Sequence, residues 1–138
     1  WSVETISFAD GTVLNQQAIR DKSVADMKTT GAVVGTERVE NYTHTSGDGS
    51  YTITDRDDFN DGGADSFVFT DVVMNDIDFG KDANDLILSL SNGEDVTIYN
   101  FFAAGHDYAV EDFHFSDGSV LTSAQIYAAP VSGGLLEL

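Results

Sequence analysis

The chain has 138 residues, 41% of them apolar and 11% aromatic, with six basic side chains against 24 acidic ones and a formal net charge of −18. That is one domain's worth of chain with enough apolar material for a core, which excludes a disordered acidic tail. The charge excludes nucleic acid and anionic membrane surfaces as partners, because both demand positive charge on the protein, and it points to cations.

Cysteine is absent, so disulfides and thiolate zinc sites contribute nothing. No apolar run approaches the roughly 18 residues of a membrane span, so no membrane insertion is expected. No basic and apolar leader opens the chain at Trp1, and the sequence reads as an internal piece of something longer, with a GGLLEL end compatible with an export signal.

In chain order, the first element is a strand pair. Ile6 and Phe8 alternate with Thr5 and Ser7, and Asp10-Gly11 marks a tight turn before Val13 and Leu14. A short helix is predicted over 15–26. Period-two alternation then continues through Tyr51 and Ile53, Phe67 and Phe69, and Leu86, Leu88 and Leu90. Asp48-Gly49, Asp61-Gly62 and Asn92-Gly93 cut this series into short strands, since Gly and Asn tolerate positive φ. SLSNGEDVTI accordingly reads as strand, turn, strand. Phe113 and Phe115 alternate in the next strand, Asp117-Gly118 turns it, and a second helix is predicted over 123–129. Thr122 and Gln125 have capping-box spacing at its start, and Pro130 closes it.

The first and last of these segments say nearly the same thing. Residues 3–19 laid over 110–126 share 8 identities in 17: Val, Glu, Phe, Asp, Gly, Val, Leu and Ile. Each copy is strand, Asp-Gly turn, strand and helix. The predicted organisation is therefore 1–28 as the closing piece of a preceding repeat unit, 29–129 as a whole unit, and 130–138 as a tail.

Between the two copies, 14 of the 24 acidic residues fall between positions 40 and 95, against Arg56 and Lys81 alone. Counted in nines from Gly35, the chain gives GTERVENYT, HTSGDGSYT and, after irregular spacing, NDGGADSFV. Tyr42, Tyr51 and Phe67 share the eighth place, Gly47 and Gly63 the fourth, and Glu40 and Asp65 the sixth.

GGADSFV resembles the repeats-in-toxin nonapeptide, Gly-Gly-x-Gly-x-Asp-x-apolar-x. NDLILSLSNGEDVTIYNFF, followed by VEDFHFSDGSVLTSAQI, is similar to the haemolysin-type calcium-binding-related domain that accompanies such repeats in secreted bacterial proteins. Together the two patterns cover about residues 35–129. The resemblance implies a parallel β-roll that binds calcium, and a chain that stays unfolded in the calcium-poor cytoplasm for type I export and folds outside. The pattern departs from the nonapeptide at Arg38 in the fourth place, at Gly49 in the sixth, and over 53–61, which carries acids without glycine.

Calcium is also sensible on physical grounds. It takes about six to eight hard oxygen ligands, which suits glycine turns that expose carbonyls beside carboxylates, and stacked turns place those oxygens in one column. Without the ion, like charges along one edge oppose collapse, so binding contributes to folding. The candidate ligands are Glu37, Glu40, Asp48, Asp58, Asp61 and Asp65, holding roughly one to three Ca2+ ions.

Other polar residues read more plainly. Asp10 and Asp117 are turn residues bonded to their own backbone. Asp82 and Asp85 are solvated loop residues. His44 and His106 fall in turns, and His114 faces away from the core, where Ser7 fills the matching place of the first copy. None has the spacing of a metal or acid-base pair, and no Ser elbow, P-loop or GxGxxG is present. No catalysis is expected. YNFFAAGHDY reads as core, with a sugar-stacking or interaction face as its second reading.

The expected fold is all-β, a parallel β-roll or β-solenoid-like sandwich of short strands with small capping helices. The expected function is a non-catalytic, secreted or cell-surface calcium-binding module that supports folding after type I secretion. The alternative is a self-assembling extracellular filament or surface-lattice subunit, whose exposed strand edges pair with a second copy or a tandem neighbour.

Overall fold

The computed structural model describes residues 4–35, 39–56, 64–104 and 108–138. The chain starts as an antiparallel hairpin of Thr5–Ser7 (β1) and Val13–Asn15 (β2). Gly11 turns it at φ +88°, a conformation that glycine reaches without a Cβ penalty. The helix Gln16–Lys28 (α1) follows, with the Asn15 side chain capping it by accepting the Ala18 N–H at 2.8 Å. At 13 residues it runs two past its predicted end at 26.

Ala32–Val34 (β3), Asn41–His44 (β4), Tyr51–Thr54 (β5) and Ser66–Phe69 (β6) come next. A 3-10 turn at Met74–Asp76 leads into Ile77–Asp82 (β7), Asp85–Leu90 (β8) and Asp95–Ile98 (β9). Asp112–His114 (β10), Val120–Thr122 (β11), the helix Ser123–Ala128 (α2), Val131–Ser132 (β12) and Leu135–Leu136 (β13) complete the chain. Thr122 and Gln125 form the reciprocal capping box that their spacing predicts. Residues 130–138, read as a tail, fold back as the β12–β13 hairpin, which pairs with β7 and buries Leu136.

Two larger sheets form beside the β1–β2 hairpin. One runs β12-β13-β7-β8-β9-β5-β3 and the other β11-β10-β6-β4. The chain is mostly β, but the sheets are mixed: β3/β5/β9 and β4/β6/β10 pair in parallel, whereas β7, β8 and β9 are joined antiparallel. The expected uniformly parallel arrangement fails where tight turns such as Asn92-Gly93 connect sequential strands, because a short turn can only return the chain antiparallel. Parallel neighbours need a crossover, and here the crossover passes through the other sheet: β3, β5 and β9 lie in one, β4, β6 and β10 in the other.

The predicted inward residues Tyr51, Ile53, Phe67, Phe69, Leu86, Leu88, Leu90, Phe113 and Phe115 are all buried. Phe69 stacks on Phe115 at 5.4 Å, and Phe79 of β7 meets Phe115 edge-on at 6.3 Å, so rings from both sheets share one core. In YNFFAAGHDY, β9 stops at Ile98 and Asn100 takes φ +54°. Phe101 is then buried, Tyr99 exposed, and Phe102 sits partly buried under the Lys81 ammonium at 4.6 Å.

The two copies of the repeat superimpose strand for strand. Thr5, Ile6 and Ser7 face Asn15, Leu14 and Val13; Asp112, Phe113 and His114 face Thr122, Leu121 and Val120, the same register 107 positions on. Phe8 and Phe115 donate their N–H to Thr12 and Ser119 carbonyls at 2.8 and 3.0 Å. Burial separates the copies. Phe113 and Phe115 are 0% and 5% exposed, whereas Ile6 and Phe8, expected to line a core face, are 38% and 50% exposed.

Candidate metal centre

Three strands carry the same motif at one end: an acid, then apolar or aromatic residues at alternate positions. Glu40 precedes Tyr42 and His44, Asp65 precedes Phe67 and Phe69, and Glu111 precedes Phe113 and Phe115. Because β4, β6 and β10 are parallel and in register, Asn41, Ser66 and Asp112 stand side by side, and the acids form a row one residue before them. Alternation turns Glu40 and Asp65 inward with the aromatic rings. On the facing sheet, Asp55 continues the inward set of Tyr51 and Ile53 just past β5. Glu40, Asp55 and Asp65 are 1%, 1% and 5% exposed.

One carboxylate oxygen from each of these three residues lies within 4.8 Å of the others. Oδ1 of Asp65 accepts the backbone N–H of Glu40 at 2.7 Å, and Glu111 Oε2 accepts the N–H of Asp65 at 2.7 Å. The Tyr42 hydroxyl donates to Asp55 Oδ1 at 3.0 Å, and the Arg56 N–H donates to the same atom at 3.1 Å. Oδ2 of Asp55 is buried with no hydrogen-bond donor among the described residues. Neither Asp55 nor Asp65 forms an ion pair among those residues. Arg20 of α1 lines a cavity of about 170 Å3 together with Glu40, and its Nη2 donates to Gln17 Oε1 at 2.6 Å.

Burial, followed by the Asp65 carboxyl beside it, through hydrogen bonding to the protonated form and then through its charge, pushes the Asp55 carboxyl up to about 9, with Glu40 adding to the rise and the Tyr42 bond opposing it. Burial and the charge of Asp55 likewise push the Tyr42 hydroxyl up. Such a group of acids needs counter-charge, from protons, from a metal ion or, for Glu40, from the Arg20 guanidinium that shares its cavity. Hard carboxylate oxygens without sulfur or imidazole suit calcium, and Glu40, Asp55 and Asp65 are the residues that would hold it. Gly35 makes room for the arrangement. A Cβ there would collide with the Tyr42 hydroxyl and come within 2.5 Å of Asp55 Oδ1.

Glu37, Asp58 and Asp61 lie outside the described residues, as does His106. Asp48 is not brought into the group: its Oδ2 pairs with Lys28 Nζ at 2.9 Å and accepts the Thr45 N–H at 3.0 Å. In the glycine turn around it, Gly47 and Gly49 point their N–H groups at Glu94, donating to Oε1 at 3.0 and 2.8 Å. Asn92 Nδ2 and His44 Nε2 stand 2.8 and 3.2 Å from Glu94 Oε2. Although desolvation acts the other way, the bonds from Asn92, Gly49, Gly47 and His44 hold the Glu94 carboxyl down at about 2. This turn therefore cradles an internal anion.

His44 is not in a turn. It ends β4 fully buried, with Nδ1 at 3.0 Å from the Tyr51 hydroxyl. His114 is only half-buried, on the opposite parity from Phe113, as expected. Asp10 and Asp117 close Asx turns to the N–H groups of Thr12 and Ser119 at 2.9 and 3.0 Å; the Thr12 N–H is the main cause that lowers the Asp10 carboxyl pKa, and the Ser119 hydroxyl, then its N–H, lowers that of Asp117. Asp85, read as solvated, accepts the Asn100 N–H at 2.8 Å. Asp55, Glu94 and Glu111 were not singled out from the sequence. Strand parity carried the signal for Asp55, and the acid-x-aromatic spacing carried it for Glu111.

Residues 85–125 match the family model described as the haemolysin-type calcium binding protein related domain. The match runs from β8 through the start of α2, so the resemblance borne by NDLILSLSNGEDVTIYNFF and VEDFHFSDGSVLTSAQI holds. It contains Glu94 and Glu111, and it begins after Glu40, Asp55 and Asp65. No curated protein matches the chain.

Proposed function

With residues 85–125 as an RTX-related domain, we propose that the protein is a calcium-binding module whose ion sits among Glu40, Asp55 and Asp65 and has a structural role. The observation that carries this is the convergence of three buried carboxylates, one with an oxygen that no described donor meets. The ion neutralises charge that otherwise opposes closure of β4 and β6 over β5, so binding is linked to folding. The β3–β4, β5–β6 and β9–β10 pairs, alternating between sheets with parallel neighbours, support reading the centre as successive coils of a degenerate β-roll interrupted by the β7–β8 hairpin.

The same reading places the module outside the cell, secreted or at its surface, where calcium is plentiful and folding follows type I export. It catalyses nothing: the carboxylates are buried, and His44 is held between Tyr51 and Glu94. The test is a calcium titration of chelator-stripped protein by calorimetry, paired with thermal unfolding. Calcium should raise the Tm of the wild type and leave Asp55→Asn unmoved. Absence of binding heat, or an equal rise in the variant, would overturn the assignment.

A further inference from the structure

The second copy of the repeat displays what covers a hairpin of this kind. β10 lies between β11 and β6, and β6 runs parallel to it with Phe67 beside Phe113. The incoming strand is gripped at both ends. At its start, Glu111 Oε2 accepts the Asp65 N–H at 2.7 Å, and the Glu111 and Asp112 N–H groups both donate to the Asp65 carbonyl at 3.2 Å. At its far end, the Ser116 N–H donates to the Val72 carbonyl at 3.0 Å.

The first copy keeps the same groups without the strand. Glu4, Thr5 and Ala9 occupy the places of Glu111, Asp112 and Ser116, and β1 pairs with β2 alone among the described residues. The apolar face is formed and open. Ile6, Phe8, Leu14, Ile19 and Met27 line a groove of about 460 Å3, and Ile6 and Phe8 stand where Phe113 and Phe115 are buried. Identity of Glu4 with Glu111 has no use in turn formation, but it has one in binding a backbone N–H.

We propose that the open edge of β1 and the adjoining groove accept one further strand in parallel, an acid-x-Phe-x-Phe segment of the β6 type from another repeat unit, with Glu4 clamping the backbone N–H of its leading residue. The β1–β2–α1 segment then closes the unit before it, as β10–β11–α2 closes its own. Main-chain bonds supply affinity and alternate apolar side chains supply register, as in strand addition generally. No metal is involved, so the proposal stands or falls apart from the calcium site.

The experiment titrates a peptide of residues 64–72 (ADSFVFTDV), with two lysines added for solubility, onto the protein in chelator, read by calorimetry and amide hydrogen exchange. Saturable binding and slowed exchange at Glu4, Thr5 and Ala9 are expected. Glu4→Ala, Ile6→Ser and Phe8→Ser should each weaken binding by about tenfold or more. These positions are exposed, so the variants keep the fold, which circular dichroism checks. A peptide with serine in place of Phe67 and Phe69 should not bind. Absence of binding at millimolar peptide, or binding undiminished by all three variants, overturns the proposal. So does dimerisation of the protein alone that the same variants abolish, which would put a second copy on this face.

Discussion

Asp65 is bonded across the sheet to Glu40: its Oδ1 accepts the Glu40 backbone N–H at 2.7 Å, linking two acidic residues at the entrances of neighbouring parallel strands. The same carboxylate thus serves as a sheet connector and as part of the candidate metal centre. Substitution can separate these uses. Asp65→Ala leaves the buried Glu40 N–H without its acceptor and should cost about 1–3 kcal/mol in chelator. Asp65→Asn keeps an acceptor oxygen and removes a charge, so it should cost less in chelator while losing the stabilisation that calcium adds. Urea denaturation of both variants with and without calcium checks the split.

Gly35 should tolerate no side chain. A methyl there meets the Tyr42 hydroxyl and Asp55 Oδ1, so Gly35→Ala is expected to destabilise by about 1–3 kcal/mol through overpacking. Tyr42→Phe removes the nearest obstructing atom. The double variant should therefore be more stable than the sum of the single effects predicts, and a thermodynamic cycle of urea midpoints measures that coupling.

Glu94 makes stability depend on pH in a definite direction. Its folded carboxyl is held at about 2, below the ordinary 4.5, so its contribution is fully present above about pH 4.5 and drains away as pH falls toward 2. Glu94→Gln should lower stability near neutrality. The difference between wild type and variant should shrink through that window, read from urea midpoints at successive pH values in chelator.

Matching positions of the repeat should respond unequally. Phe113 is fully buried, and Phe113→Ala should cost about 3–5 kcal/mol. Ile6, its counterpart at 38% exposure, should cost under about 1 kcal/mol when changed to Ala in the isolated protein. Thermal unfolding of the two variants compares them directly.

Much of the local structure was legible because its causes are local. The β8–β9 hairpin follows from Asn92-Gly93 between alternating strands, and the α2 cap from Thr122 and Gln125. Glu40 and Asp65 emerge from their shared sixth place in the nonamers, which the parallel register turns into adjacency. What was not legible depends on contacts between distant segments. Asp48 looks like a ligand in a glycine turn until Lys28 arrives from α1, and that turn's N–H groups are claimed by Glu94, 47 and 45 residues away. The fate of Ile6 and Phe8 was equally hidden, since alternation marks an apolar face but not whether anything covers it.

The twinned hairpins also bear on the order of folding. The same backbone bonds close β1–β2 and β10–β11, although one pair is bare and the other embedded. Their geometry is thus set within the segment, and such turns close in about 1–10 μs. The parallel ladders join residues 25 and 46 positions apart at their acidic entrances, so loop closure must precede their reward. Refolding should begin at the two ends of the chain and reach its slow step in the middle, where repulsion between carboxylates is greatest.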